Sequence, residues 1–186
     1  MFLLQRGVLM FFKRFNINKI FMSFIVAFYF YGPYANAQTN GSWIAETESK
    51  HFLYAATVND SGALLGQYCF PGEGSCIWLV GMEIPCNKDD KYHGLANSDI
   101  GAQPLELLCD TQLDNGLYRY VFTDFKAVDT IVRRDRRLGI AIPLADGQFR
   151  VVRFDLEGAT RALDTMRSAA DRRMKPAGKN TRDQLL

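Results

Sequence analysis

Four cysteines, two histidines and one run of five charged residues are the side chains of this 186-residue chain that are equipped for chemistry. The cysteines are Cys69, Cys76, Cys86 and Cys109. Cysteines that hold structural zinc come in closely spaced pairs, and redox-cycling thiols are separated by two residues. Gaps of six, nine and 22 residues match neither pattern. If the chain is exported, an even number of cysteines in a chain of this size reads as two structural disulfides. Three pairings are open to four cysteines. Cys69 and Cys76 flank the turn-rich stretch FPGEGS, where a hairpin would set them on neighbouring strands. That pairing leaves Cys86 with Cys109, closing the long polar segment between them.

His51 and His93 lie 42 residues apart. A Ser-His-Asp site could draw on His93 and Asp99, but no Gly-x-Ser-x-Gly turn exposes a nucleophile. The plainer reading puts His93 in a solvated loop and His51 on a strand. Asp89, Asp90, Asn97 and Asp99 could offer oxygens to Ca²⁺, yet their spacing matches no EF-hand loop, and a solvated acidic loop is the better account. Carboxylate pairs for glycoside hydrolysis need not be close in sequence, and nothing selects a pair here. Arg133-Arg134-Asp135-Arg136-Arg137 reads either as a dock for an anionic partner or as a solvated connector whose charge protects a strand edge. Tyr118, Tyr120, Phe122 and Trp78 could stack on sugars, but aromatic residues at strand spacing belong first to the core.

The elements that must position these groups begin after residue 37. Residues 1–37 carry Arg6, Lys13, Arg14 and Lys19 and no acid, then an apolar run from Ile20 to Tyr31, Gly32-Pro33 and Ala35-Asn36-Ala37. This is the pattern of a secretory signal cleaved before Gln38, with an uncleaved N-terminal anchor as the alternative. Met10 could serve as the initiator just as well. The whole chain has 22 basic and 20 acidic residues; without the signal's four bases the balance is 18 to 20, a net of −2. Overall charge therefore does not suggest a nucleic-acid partner. The expected organisation is a signal peptide over 1–37, one β-rich domain over 38–174 and a flexible basic tail over 175–186.

Within the domain, His51–Val58 is rich in strand formers and ends at the turn signal Asn59-Asp60-Ser61-Gly62. Residues 63–70 and 76–85 follow as strands of an antiparallel meander. The polar stretch 87–102 reads as a loop. Strands resume at 104–109 and 117–123, with Tyr118, Tyr120 and Phe122 on one face. A short helix over 125–132 leads to a hairpin of 138–144 and 148–154 about Ala145-Asp146-Gly147. Asp155 then caps a helix over 156–174 whose apolar positions recur at three- and four-residue spacing.

The run YRYVFTDFKAVDTIVRRDRRLGIAIPLADGQFRVVRFDLEGATRALD, ending at Asp164, resembles the end of the invasion-associated locus B family of exported bacterial proteins. The likeness lies in a strand, a short helical step, a basic connector, a hairpin and the ending from Phe154 through Leu156, Gly158 and Ala159 to Asp164. The resemblance implies a β-sandwich with a closing helix and a host-facing or envelope role, without enzyme chemistry.

The sequence thus predicts a mainly β fold, an antiparallel sandwich or meander with a C-terminal α-helix and two disulfides. The expected role is that of a periplasmic or secreted bacterial protein acting as a non-enzymatic interaction module. Its alternatives are an envelope hydrolase and a periplasmic immunity protein. The expected partner is another envelope or secreted protein, with no nucleic acid, and with membrane contact only through an uncleaved signal. No cofactor or metal is expected. Candidate contact residues are Tyr92, His93, Asn97 and Asp99 in the 87–102 segment, and Arg133, Arg134, Arg136 and Arg137 in the connector.

Overall fold

Apolar residues that alternate with polar ones build most of the strands, and the inward set builds the core. The computed structural model describes residues 38–40, 42–144 and 147–174. The expected signal segment and basic tail lie outside the described residues, as does most of the Ala145-Asp146-Gly147 turn. The chain divides into two compact units, 1–33 and 34–186, and the described fold belongs to the second.

Five strands form the first meander: β1 (Gln38–Asn40), β2 (Trp43–Glu46), β3 (Leu53–Val58), β4 (Leu64–Phe70) and β5 (Ser75–Met82). A second meander follows, of β6 (Lys91–Ser98), β7 (Gly101–Gln112) and β8 (Tyr118–Phe122). The chain then makes α1 (Phe125–Arg134), the hairpin β9 (Arg137–Pro143) and β10 (Phe149–Asp155), and α2 (Ala159–Met174). All ten strands pair antiparallel in one continuous ladder, ordered β1-β2-β3-β4-β5-β8-β7-β6-β9-β10. The fold is mainly antiparallel β with a C-terminal helix and two disulfides, the class read from the sequence.

The inward faces meet both helices. Trp43, Leu53, Leu65, Trp78, Tyr120 and Ile140 are fully buried and pack with Val128 and Ile131 of α1 and with Leu163 and Met166 of α2. Tyr118, Tyr120 and Phe122 face this core, as strand spacing indicates. Asp124 caps α1 by accepting the Ala127 N–H at 2.9 Å. Between the layers the buried Gln67 on β4 accepts from Arg167 Nε of α2 at 2.7 Å, and Arg167 also pairs with Asp129 of α1. One polar network thus ties both helices to the sheet.

His51 lies in a bend before β3 rather than on a strand, and three larger local readings are corrected. The stretch 87–102 is not a loop: it holds β6, the turn at Asp99-Ile100 and the start of β7. Polar composition hid the strand because β6 is sandwiched between β7 and β9, and both its edges are satisfied by neighbours rather than by propensity. Gly94 looks like a loop residue but is required by close approach, since a Cβ there would lie 2.7 Å from the Ala141 carbonyl oxygen of β9. Replacing Gly94 with alanine should therefore cost about 1–3 kcal/mol. Gly72, with open space around it, is the matched control. Denaturant midpoints check this, and equal losses at the two sites would refute the close-packing account.

The second correction concerns α1, which runs two residues beyond the predicted end and takes in Arg133 and Arg134, whose charges suit a helix C-terminus. The third concerns Asp155. It closes β10 rather than capping α2: its Oδ1 accepts the Glu157 N–H at 2.8 Å, and Gly158, at φ 87°, precedes the helix and accepts from the Ala162 N–H. Only glycine takes that left-handed conformation cheaply, which is why the strand can turn into the helix so abruptly.

Candidate functional site

The sequence candidates divide between two ends of β6. At its first end Tyr92 packs edge-to-face on the core residue Tyr120, with centroids 5.4 Å apart. His93 stands on the outer face opposite Glu106. Lys91 donates to Glu106 at 3.2 Å and holds that carboxyl below its usual range. At the far end lie Asn97, about 13 Å from His93 along the extended strand, and Asp99 in the turn just beyond it.

Asn97 and Asp99 are brought to the connector. Asp99 Oδ2 accepts the Arg136 backbone N–H at 2.8 Å and lies 3.6 Å from Arg136 Nε. Arg137 opens β9 beside them. Arg133 is drawn away to Asp164 of α2 at 2.9 Å, and Arg134 is exposed without an ion pair among the described residues. The RRDRR run is therefore not one basic patch: a helix end, a buried Asp135 and a strand start point its arginines in different directions. The acids proposed for Ca²⁺ are likewise separated. Asp89 and Asp90 join the Cys109 backbone at the opposite end of β6, and no group of acids, histidines and cysteines among the described residues is close enough to hold a metal.

What the fold does assemble at the Asp99 end is a groove made of three adjoining depressions that share lining residues. The first, about 430 Å³, lies between Asp99, Asp135, Arg136 and Glu157. The second, about 470 Å³, continues over Asn97, Arg137 and Arg153. The third, about 420 Å³, passes between Val151 of β10 and Ser42, Val58 and Asp60. Asp155 borders all three. Composition and spacing did not single out Asn59, Arg153, Asp155 or Glu157, because their meeting depends on which strand ends the sheet. One signal was readable: Phe149 and Val151 are apolar at positions of the opposite parity to Val152 and Phe154, so one face of that strand had to stay uncovered.

A second feature was also missed. Phe52, Tyr54, Tyr68 and Phe70 cluster on the outer face of β3 and β4, with the two tyrosines stacked at 5.2 Å. Burial, assisted by Tyr54 and opposed by Arg119, pushes the Tyr68 hydroxyl up to about 12. Tyr120, whose hydroxyl donates to the Ile84 carbonyl at 2.9 Å, is raised by burial too. A phenol whose folded pKa exceeds the unfolded value of about 10 keeps its proton longer when folded. Its contribution is complete below pH 10 and is lost as pH climbs towards 12. We expect the melting temperature to fall across that window, and Tyr68→Phe to flatten the fall; an unchanged slope would refute the assignment. The tyrosines lie away from the groove.

All four cysteines are used. Cys69 pairs with Cys76, its direct partner in the β4–β5 register, at a Cα separation of 4.0 Å. Cys86 pairs with Cys109 at 6.1 Å and pins the entry to β6 against β7. Two disulfides fit a chain that folds in an oxidising compartment, outside the cytosol.

A curled antiparallel sheet closed by a C-terminal helix and stapled by two local disulfides defines the class of fold. The crystal structure of invasion associated protein B from Bartonella henselae has a similar one, with a TM-score of 0.52 and 18% identity over 73% of this chain and 98% of that chain. The likeness is one of fold, and it extends over nearly the whole of that protein. No family model matches the chain, and no curated protein matches it.

Proposed function

We propose that this chain is an exported bacterial envelope or secreted protein that works as a non-enzymatic interaction module, and that it meets another envelope or secreted protein through the Asp99–Arg153 groove. The observation that carries this reading is the groove itself. It is open and lined by charges of both signs, and it runs along the outer edge of β10, the last strand of the sheet. A surface of this kind suits recognition by complementary charge and backbone more than the enclosure of a small substrate. The N-terminal signal pattern and the two disulfides support export, and the invasion-associated neighbour supports an envelope or host-facing setting.

The test is retention of proteins from an envelope extract on the immobilised chain, compared with an Arg137→Glu/Arg153→Glu variant. A specific protein should be retained by the native chain and reduced about tenfold by the reversal of two groove charges. Retention of nothing specific, or retention indifferent to the groove, would sink the reading.

A further inference from the structure

We propose that β10 takes an extended, acidic and apolar segment of the partner polypeptide as an added strand, an inference that rests on the interaction reading above and names the partner's chemistry. At the β9–β10 hairpin the Leu144 N–H donates to the Gln148 carbonyl at 2.8 Å. Pairing residues in an antiparallel ladder alternate between bonded and unbonded. Arg150, Val152 and Phe154 therefore bond to Ile142, Ile140 and Leu138, while Phe149, Val151, Arg153 and Asp155 turn their N–H and C=O groups away from β9. Two further bonds agree with this alternation. The Arg153 carbonyl accepts from Asn59 Nδ2 at 3.0 Å, and the Asp155 carbonyl accepts from Trp43 Nε1 at 3.1 Å.

Those two side chains close the second half of the edge and leave the first half open among the described residues. Proteins usually blunt a bare edge with lysine, proline, a bulge or a cover. Here Phe149 is 63% exposed and Val151 40%, and across the groove Val58 is 60% exposed. An incoming strand would meet free backbone groups on one side and apolar contacts on its alternate residues, the two components of strand addition. Its charge follows from the flanks. Arg150 and Arg153, one and two residues from Val151, form no ion pair with a described residue and outnumber Asp60 across the groove, while Arg137 and Asp155, opposite each other in the β9–β10 register, offset one another farther along. An acidic segment is favoured over a basic one, and a polypeptide over a lipid or glycan, because the open edge presents peptide groups in register.

The experiment titrates the exported chain with a capped synthetic peptide of alternating valine and glutamate, followed by amide resonances. Shifts centred on Phe149 and Val151, with slowed solvent exchange of the Val151 amide, are expected. A valine–lysine peptide should bind about tenfold more weakly. Val151→Pro removes an N–H that the β9 ladder does not use and should weaken binding about tenfold as well. If that variant folds poorly, Arg150→Glu/Arg153→Glu gives the same decision by reversing the preference between the two peptides. No shifts at millimolar peptide, indifference to peptide charge, or undiminished binding by the proline variant overturns the strand-addition proposal. If those failures coexist with a retained envelope protein, only the edge mechanism falls; peptide binding at Val151 with nothing retained from extract supports the edge and rejects the envelope partner.

Discussion

Trp43→Ala should lower the stability of the domain by about 3–5 kcal/mol, the range for truncating a large aromatic in a close-packed core. The indole is completely buried, meets Trp78 edge-to-face at 6.4 Å and donates to the Asp155 carbonyl. Its loss would open a cavity under β2 and strip the cover from the end of β10 at once. For a domain of this size the melting temperature should fall by about 10 °C or more. Trp43→Phe separates the two effects. It keeps most of the packing and removes the hydrogen bond, so a loss of only about 0.5–1.5 kcal/mol is expected. If phenylalanine were as damaging as alanine, the bond to β10 rather than the packing would carry the residue's role.

Removing Cys86–Cys109 should cost more than removing Cys69–Cys76. The bridges span sequence separations of 23 and 7 residues. Loop-closure entropy puts the losses at ~3.4 and ~2.4 kcal/mol. Alanine is the replacement to use, because Cys69 and Cys109 are buried and a serine hydroxyl would be stranded there. Paired Cys→Ala variants, measured by denaturant unfolding, should keep this order. An equal or inverted order would mean that the short bridge does something beyond restricting the unfolded chain.

Much of this fold was legible because local signals and tertiary outcome agree. The Asn59–Gly62 turn, the aromatic alternation of Tyr118, Tyr120 and Phe122, and the β9–β10 hairpin all appear where patterning places them. The failures share a cause. Strand β6 is made by its neighbours, so its own residues carry no strand signature. The end of α1 is hidden in the charge run: arginine is a good helix former, so Arg133 and Arg134 continue the helix, and the Asp135 N–H, bonded to the Ile131 carbonyl, marks the stop. The candidate groove was half visible. Asn97, Asp99, Arg136 and Arg137 were named from the polar stretch and the charge run, but Tyr92, His93, Arg133 and Arg134 lie elsewhere. The remaining groove residues come from β10 and from the Asn59 turn, 94 residues apart for Asn59 and Arg153. No spacing rule reaches that far; only the strand order brings them together.

The two bridges join consecutive cysteines, first with second and third with fourth. A chain that emerges N-terminus first presents Cys69 and Cys76 together on one hairpin before Cys86 is available, then Cys86 and Cys109 before either helix has been made. Oxidation in order of appearance yields the native pairing directly, with no crossed partner to undo. A simple thiol oxidase would suffice for maturation, without a disulfide-reshuffling catalyst. Both staples would be locked while the β2–β10 closure, 112 residues from Trp43 to Asp155, still waits for the end of the chain.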